Sequence, residues 1–556
     1  MSRTPLPTAF LRAPPFPGAK AITLAHRAAD SGNDEQVGDL IAQLRVARVG
    51  GTFWAGQPNI PAGAIIACPW DAVSAAAMIA HARTLTVPLV FWISDPSIAR
   101  RLPALPAPSL VGAFDPWHMA ASASALWANA ADERLLIARL AHTTTMSFPV
   151  GEDCTLEAAA GDALLSGLSY ADPFTGTPAS AAATIGTLAH WRALIDANRS
   201  IASAAGMAFW KRETVAPLLW GGGDPVRFIS TVRDLEAMPA DAAFAVWKAK
   251  TSAELLAEIE HRTQAGGPPL HEVEDGFIRS VGLGADCVPP LSITVDPVGV
   301  HFDPARPSQL EDILNRADFS LELVARAAQL RELIVSTGLS KYGVGTTQLA
   351  RPGEGKHLIL VTGQVEDDRS VLAARGPVTG NLDLLRRARA IEPDAFIIYR
   401  PHPDVDAGHR VGHIPDAVAL ELADAIDRAT PISALLDLVD GVHVLSSLAG
   451  FEALLRGREV TTHGVPFYAG WGLTRDLGDV PVRREAILDL DQLVAGVLLV
   501  YPRYLDPLTQ LPCTPEILVH RILSGVKKQS RLIVPLRRLQ GKVNKWRKRA
   551  GSVEEI

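Results

Sequence analysis

From about Ala208 onward the chain alternates short apolar, β-branched runs with longer stretches of helical spacing. FAVWKA (244–249), HLILVTG (357–363), AFIIYRP (395–401) and VHVLSS (442–447) read as strands. NLDLLRRARAIEP (381–393) and AGFEALLRG (449–457) read as helices that follow them. Continuous apolar runs bounded by turn residues suit strands buried on both faces, and strand-helix alternation favours a parallel sheet covered by helices. In such folds ligands sit beyond the carboxyl ends of the strands. A break at TTQLARPGEGK (346–356), with Pro, two Gly and charge, predicts a linker between two α/β halves. The expected fold class is α/β, with two Rossmann-like domains facing a cleft.

The first 200 residues are Ala-rich, with apolar stretches such as GAIIACPW (63–70) and VPLVFWISD (87–95), and predict a further α/β unit. They lack the clustered acids and histidines of the later segments. YADPFTGTP (170–178) parallels YLDPLTQLP (504–512), so the two ends are expected to close in a related way. The expected domains are 1–170, a connector at 171–205, halves at 206–347 and 348–525, and a basic tail at 526–556.

Composition changes this picture little. The 556 residues carry a net charge of −7, which gives no global nucleic-acid footprint. Cys68, Cys154, Cys287 and Cys513 are widely spaced, so neither a zinc ribbon nor a disulfide framework is expected and a reducing cytoplasm fits. The Pro-broken N-terminus lacks the apolar core of a secretory signal, and no apolar run is long enough to span a bilayer. The tail Lys527 to Arg549 carries ten Lys/Arg and no acid, interspersed with Leu, Ile, Val and Trp546. It reads either as a disordered basic tail or as a segment that lies on anionic lipid, where each basic residue contributes about 1 kcal/mol.

Five segments carry candidate chemistry. EDGFIRSVGLG (274–284) sets Glu274 and Asp275 before Gly276 and Arg279, a tight loop whose backbone can approach a ligand, or a turn in which Glu274 pairs with Arg279. VTGQVEDD (361–368) runs from a strand into Gln364 and then Glu366, Asp367 and Asp368, either a solvated turn or a site. YRPHPD (399–404) puts Arg400 and His402 at a strand end between prolines that favour extended backbone. SSLAGFEALLRG (446–457) offers Ser446 and Ser447 where a helix starts, as an anion cradle or as plain caps, with Glu452 one turn on. HGVPFYAGWGLT (463–474) reads as a lid or a base pocket rather than a core strand.

In this order, EDGFIRSVGLG, GQVEDD, YRPHPD, VLSSLAGFEALLRG and HGVPFYAGWGLT resemble the capsule polysaccharide biosynthesis proteins of the KpsC type, which are retaining β-Kdo glycosyltransferases. The similarity covers about 200 to 525, with FWKRE (209–213) and YPRYLDP (501–507) included. Members commonly carry two such modules, and residues 172–213 are similar to the connector between them. Residues 1–170 hold no EDG, GQVEDD or PHP, so they are expected to be a degenerate module.

The resemblance implies a GT-B-like pair of halves, with the acceptor side at 206–347 and the CMP-Kdo side at 348–525. It implies transfer of Kdo from CMP-β-Kdo, with retention, to a lipid-linked oligo-Kdo acceptor in the cytoplasm or peripherally at the inner membrane. Retention follows most directly from two inversions through a carboxylate adduct. The nucleophile is expected at Asp368, with Asp367 as the alternate, since only one neighbour faces the cleft if the chain there is extended. Glu274, with Asp275 as the alternate, is the expected general base. His402, Arg400, Ser446 and Ser447 are expected to hold the CMP phosphate and the Kdo carboxylate, Glu452 the ribose, and Gln364 and Arg279 further parts of the substrates. No metal or other cofactor is required by this scheme. A non-catalytic scaffold of the capsule assembly proteins is the alternative expectation.

Overall fold

The computed structural model describes residues 9–28, 35–83, 85–151, 154–239, 241–278, 288–339 and 349–525, with backbone alone at 4–5, 340 and 343–344. The chain folds as two units, residues up to Ile201 with Leu219–Val226, and Ala202–Leu218 with the residues from Arg227 on. Among the described residues no helix is long and apolar enough to cross a membrane.

The first unit is built on a parallel sheet of β1 (Ile65–Ala67), β2 (Leu89–Ile93), β3 (Ser109–Val111), β4 (Ala125–Asn129) and β5 (Thr144–Phe148). Its order is β3-β2-β1-β4-β5. Successive side chains go to opposite faces, as a strand requires. Ile66, Trp92 and Leu126 pack on one side, and Ile65, Phe91 and Trp127 on the other. Asp71, Asp115, Asp132, Thr155 and Ser180 cap the helices that follow. The helix Ala181–Asn198 buries Ile185, Leu188, Trp191 and Ile195. The stretch expected as a connector therefore supplies part of this unit's core.

The second unit contains two large sheets. One is formed by β6 (Ile201–Ala205), β7 (Arg227–Ile229), β8 (Ala243–Val246), β9 (Leu270–Asp275) and β10 (Ser292–Asp296), joined by β17 (Arg503–Leu505) and β18 (Pro512–Cys513) in the order β7-β6-β8-β9-β10-β17-β18. The pairings are parallel from β8 to β9 and antiparallel from β9 onward to β18. The chain thus returns after the second sheet to cover the edge of β10, which would otherwise expose unpaired backbone. Residues 503–513, expected within the C-terminal half, pair with the strands of the other half for this reason.

The other sheet is entirely parallel: β11 (Leu358–Thr362), β12 (Phe396–Arg400), β13 (Ala425–Ile426), β14 (Gly441–Val444), β15 (Glu459–Thr462) and β16 (Arg475–Asp476), in the order β13-β12-β11-β14-β15-β16. Every residue of β11 is buried. Two Rossmann-like halves make this unit α/β and GT-B-like.

The segment 463–474 is core rather than lid. Tyr468, Ala469 and Trp471 are fully buried, and the Phe467 and Phe277 rings lie 4.7 Å apart. Such a loop can be buried only where its carbonyls find donors. The Arg484 Nη1 supplies them, at 2.7 Å from Pro466 O and 2.8 Å from Ala469 O.

Candidate functional site

The strand order of the six-stranded sheet reverses between β11 and β14, and at this switch the two strand ends diverge and leave a crevice. Gln364 follows β11 and Ser446 follows β14. The Gln364 Oε1 accepts from Ser446 N at 2.8 Å, and its Nε2 donates to Ser446 Oγ at 3.2 Å. Asn381 holds the Gln364 backbone from both sides, accepting its N–H and donating to its carbonyl, each at 2.8 Å. Gly363 lies so close to β12 that a Cβ there would stand 2.7 Å from Tyr399 Oη. Ser447 caps the helix Leu448–Leu455 through Ala449 N.

The three acids after Gln364 do not lie along an extended strand. Asp368 N donates to Val365 O at 3.1 Å, closing a turn. The expected alternation is therefore replaced by three separate tasks. Glu366 accepts from Asn381 N at 2.7 Å at the start of the helix Asn381–Ile391. Asp367 is half exposed and pairs with Arg410 at 3.1 Å. Asp368 caps the helix Arg369–Ala374, its Oδ1 accepting from Ser370 N at 3.0 Å and Ser370 Oγ at 2.7 Å. Among the described residues its Oδ2 has no hydrogen-bond donor.

YRPHPD bends sooner than its prolines suggest. Pro403 is the first residue of one helical turn, Pro403–Asp406, and His402 Nδ1 accepts from Asp404 N at 3.2 Å. That contact assigns the ring proton to Nε2. Arg400 is paired with Asp427 at 2.6 Å and mostly buried.

Across the cleft, β9 ends in Glu274 and Asp275. Gly276 must be glycine here, because a Cβ would come within 2.3 Å of Ser292 Oγ. Lys211, from FWKRE, approaches Asp275 at 3.7 Å, and its Nζ sits 3.2 Å from the centre of the Trp247 ring. Arg369, the residue after Asp368, reaches to 4.0 Å from Glu274 Oε1. Glu274 is pushed up to about 7, first by burial and then by the charge of Asp275, against Arg369 and Lys211, which lower it.

The structure thus gathers Glu274, Asp275 and the Asp368 turn on facing walls, with Gln364, Ser446 and Ser447 at the switch crevice and Arg400 and His402 at the end of the neighbouring strand. Glu452 is buried and lines a small apolar cavity with Phe277, Ile278, Leu448 and Phe451. Arg279 and the tail 526–556 lie outside the described residues. Lys211, Trp247 and Arg369 join the site without having been assigned roles from sequence. The only signals were the FWKRE motif and the position of Arg369 immediately after GQVEDD.

Residues 244–504 match the family of the capsule polysaccharide biosynthesis protein. The capsule polysaccharide modification protein LipA of Neisseria meningitidis serogroup A is 41% identical over 350 residues, covering 62% of this chain and 49% of that protein. The lipopolysaccharide-processing protein LpsZ of Rhizobium meliloti is 44% identical over 240 residues, covering 42% of this chain and 54% of that protein. A solved structure of Thermosulfurimonas dismutans KpsC, titled a beta Kdo 2,7 transferase, is 32% identical with a TM-score of 0.47, covering 58% of this chain and 99% of that one. The chain spans about half the length of the curated relatives it matches. The match over 244–504 and the ordered motifs within and beside it make this module a member of the capsule polysaccharide biosynthesis protein family, of the KpsC type.

Proposed function

We propose that this module is a retaining β-Kdo glycosyltransferase acting from CMP-β-Kdo on a lipid-linked oligo-Kdo acceptor. The observation that carries the reading is the approach of Arg369 to Glu274, because it brings a carboxyl raised to about 7 opposite the turn that holds Asp368. A carboxyl near neutrality suits proton transfer at cellular pH.

In the first displacement an Asp368 oxygen attacks the anomeric carbon of Kdo, and the bond to the CMP phosphate oxygen breaks with its electron pair. In the second, Glu274 takes the proton of the acceptor hydroxyl as that oxygen attacks the same carbon, and the bond to Asp368 breaks. Two inversions give retention. His402, Arg400, Ser446 and Ser447 are assigned to the phosphate and the Kdo carboxylate. Neutralising the departing phosphate contributes several kcal/mol, as roughly expected of such groups. Glu452 is assigned to the ribose and Gln364 to holding the crevice.

Intact-mass spectrometry of the protein after incubation with CMP-Kdo generated in situ tests the scheme. A Kdo-sized adduct on wild type and on Asp367→Asn, lost in Asp368→Asn, is expected. Absence of an adduct, together with no transfer to a Kdo-terminated acceptor, overturns the reading in favour of a scaffold role.

A further inference from the structure

The first unit contains a cavity of about 590 Å³, a size that fits a small ligand. It is lined by helix segments and loops of this unit alone, and its walls are rich in arginine: Arg45 and Arg48 at the end of the helix Val37–Ala47, and Arg192 and Arg199 at the end of Ala181–Asn198. The charge is not fully answered by acids, since these four guanidiniums face two carboxylates, Asp115 and Asp196.

The floor is a built structure. Asp115 is fully buried, and Arg192 is 3% exposed. Arg192 donates to Asp115 Oδ2 at 2.8 Å and to the Arg48 carbonyl at 2.6 Å. Arg199 donates to the carbonyls of Ala55 and Phe53, each at 3.0 Å, and to Asp196 at 2.7 Å. Gln57 completes the ring with a bond to Asp115 at 2.8 Å. These contacts fix the floor and account for most of the N–H groups of Arg192 and Arg199.

The rim differs. Among the described residues Arg45 donates only its Nε–H, to Leu140 O at 3.3 Å. Arg48 makes only a 3.8 Å approach to Asp196, and its side chain is 59% exposed. His118 and His142 stand beside them, with His118 Nε2 donating to Pro58 O at 2.9 Å. Two guanidiniums with most of their donors unspent, above a floor that already neutralises the buried acids, leave an excess of positive charge facing the cavity. Guanidinium forks match the oxygens of a phosphate.

We propose that this cavity binds a phosphate-bearing small molecule, with Arg45 and Arg48 as the principal ligands of the phosphate. The site belongs to the first unit and does not depend on the transferase reading.

Isothermal titration calorimetry of the full chain with inorganic pyrophosphate at low salt tests it. The comparison is between wild type, the double variant Arg45→Ala/Arg48→Ala, the cavity-filling Ala121→Trp, and Arg316→Ala, an exposed arginine of the other unit, as a control for the loss of positive charge. Binding by wild type and by Arg316→Ala, weakened at least about tenfold in both cavity variants, is the expected result, since each lost charged contact to phosphate carries a large part of the affinity. If the double variant fails to melt cooperatively, Arg48→Ala alone replaces it, because that side chain is mostly exposed. No binding by wild type overturns the proposal. So does binding that survives in the cavity variants or is lost equally in Arg316→Ala.

Discussion

The parallel sheet of the first unit and the six-stranded sheet of the second have the same order through their first five strands, yet the residues at their switch points are used differently. In the first unit β1 runs into Asp71, whose side chain and that of Ser74 cap each other's backbone in a closed box. After β4, Asp132 is spent on Arg134 at 2.6 Å, and Arg134 on Trp92 O at 3.1 Å. These polar groups are satisfied by their own turn or by the neighbouring strand. In the second unit Gln364 instead reaches across the switch to Ser446, and the turn beyond it sends Arg369, next to Asp368, to 4.0 Å from Glu274 of the opposite half. Strand order provides the crevice, and the residues at the strand ends decide whether anything happens there.

The sharpest break of this symmetry is catalytic. Glu274→Gln is expected to slow Kdo transfer by about 10²–10⁴-fold, the usual contribution of a positioned proton acceptor. Asp132→Asn, which disturbs an acid after β4 of the first unit and loosens its pair with the mostly buried Arg134, is expected to leave transfer within about twofold, because the first unit carries none of the ordered motifs. Measured initial rates on a Kdo-terminated acceptor decide it. Equal losses in both variants would mean that the two strand ends are not functionally different.

Gln364→Ala sharpens the same contrast on the stability side. It removes both bonds to Ser446 and leaves a Ser446 N–H in a partly buried crevice, at a cost of about 1–3 kcal/mol. Asp71→Ala, which removes a helix cap in the first unit, should cost about 1 kcal/mol. Urea denaturation followed by probes specific to each unit would compare them, since a two-unit chain need not unfold in one step.

Much of this was legible in the chain itself. HLILVTG and AFIIYRP are short apolar runs that stop at turn residues, and strands stop there too. Lys211, Trp247 and Arg369 were not legible as site residues because their partners lie far away in sequence, and no local pattern specifies such a pairing. The lid alternative for 463–474 fails, although glycine and aromatics describe a mobile lid as well as a buried loop. Arg484 distinguishes the two by supplying donors to the loop's carbonyls. The acids of GQVEDD were expected to alternate along an extended chain, and a single turn instead gave each a different task.

The pH dependence offers a finer test of the acids on β9. A base must be ionised, so kcat/KM should rise with pH through about 7, where Glu274 titrates. Asp275→Asn removes the second cause of that upward displacement and should move the limb to lower pH, with burial still holding it above the usual carboxyl value. The linked stability has a definite sign. A folded value near 7 against an ordinary 4.5 means that the contribution of Glu274 is fully present below about 4.5 and is lost as pH rises through about 7. Glu274→Gln should flatten that decline in a pH series of denaturation midpoints.

The smallest effect concerns the sequence repeat, which proves to be a structural one. Tyr170 donates to Leu164 O at 2.8 Å, and Tyr504 donates to Leu498 O at 2.7 Å. Gly176 N reaches Asp172 O, and Gln510 N reaches Asp506 O, both at 2.9 Å. The two turns also share a left-handed residue, Gly176 at φ +73° and Gln510 at φ +60°. Glycine adopts this region freely, and a side chain there costs about 1–2 kcal/mol. Gln510 offsets part of that with a buried amide that donates to Pro507 O at 3.1 Å. Gly176 has no neighbour within 4 Å of where a Cβ would stand, so Gly176→Ala tests the backbone alone. A loss of about 1 kcal/mol is expected in the melting of the first unit. An unchanged melting curve would mean that this turn relaxes out of the left-handed region, and that the two copies share bonds without sharing rigidity.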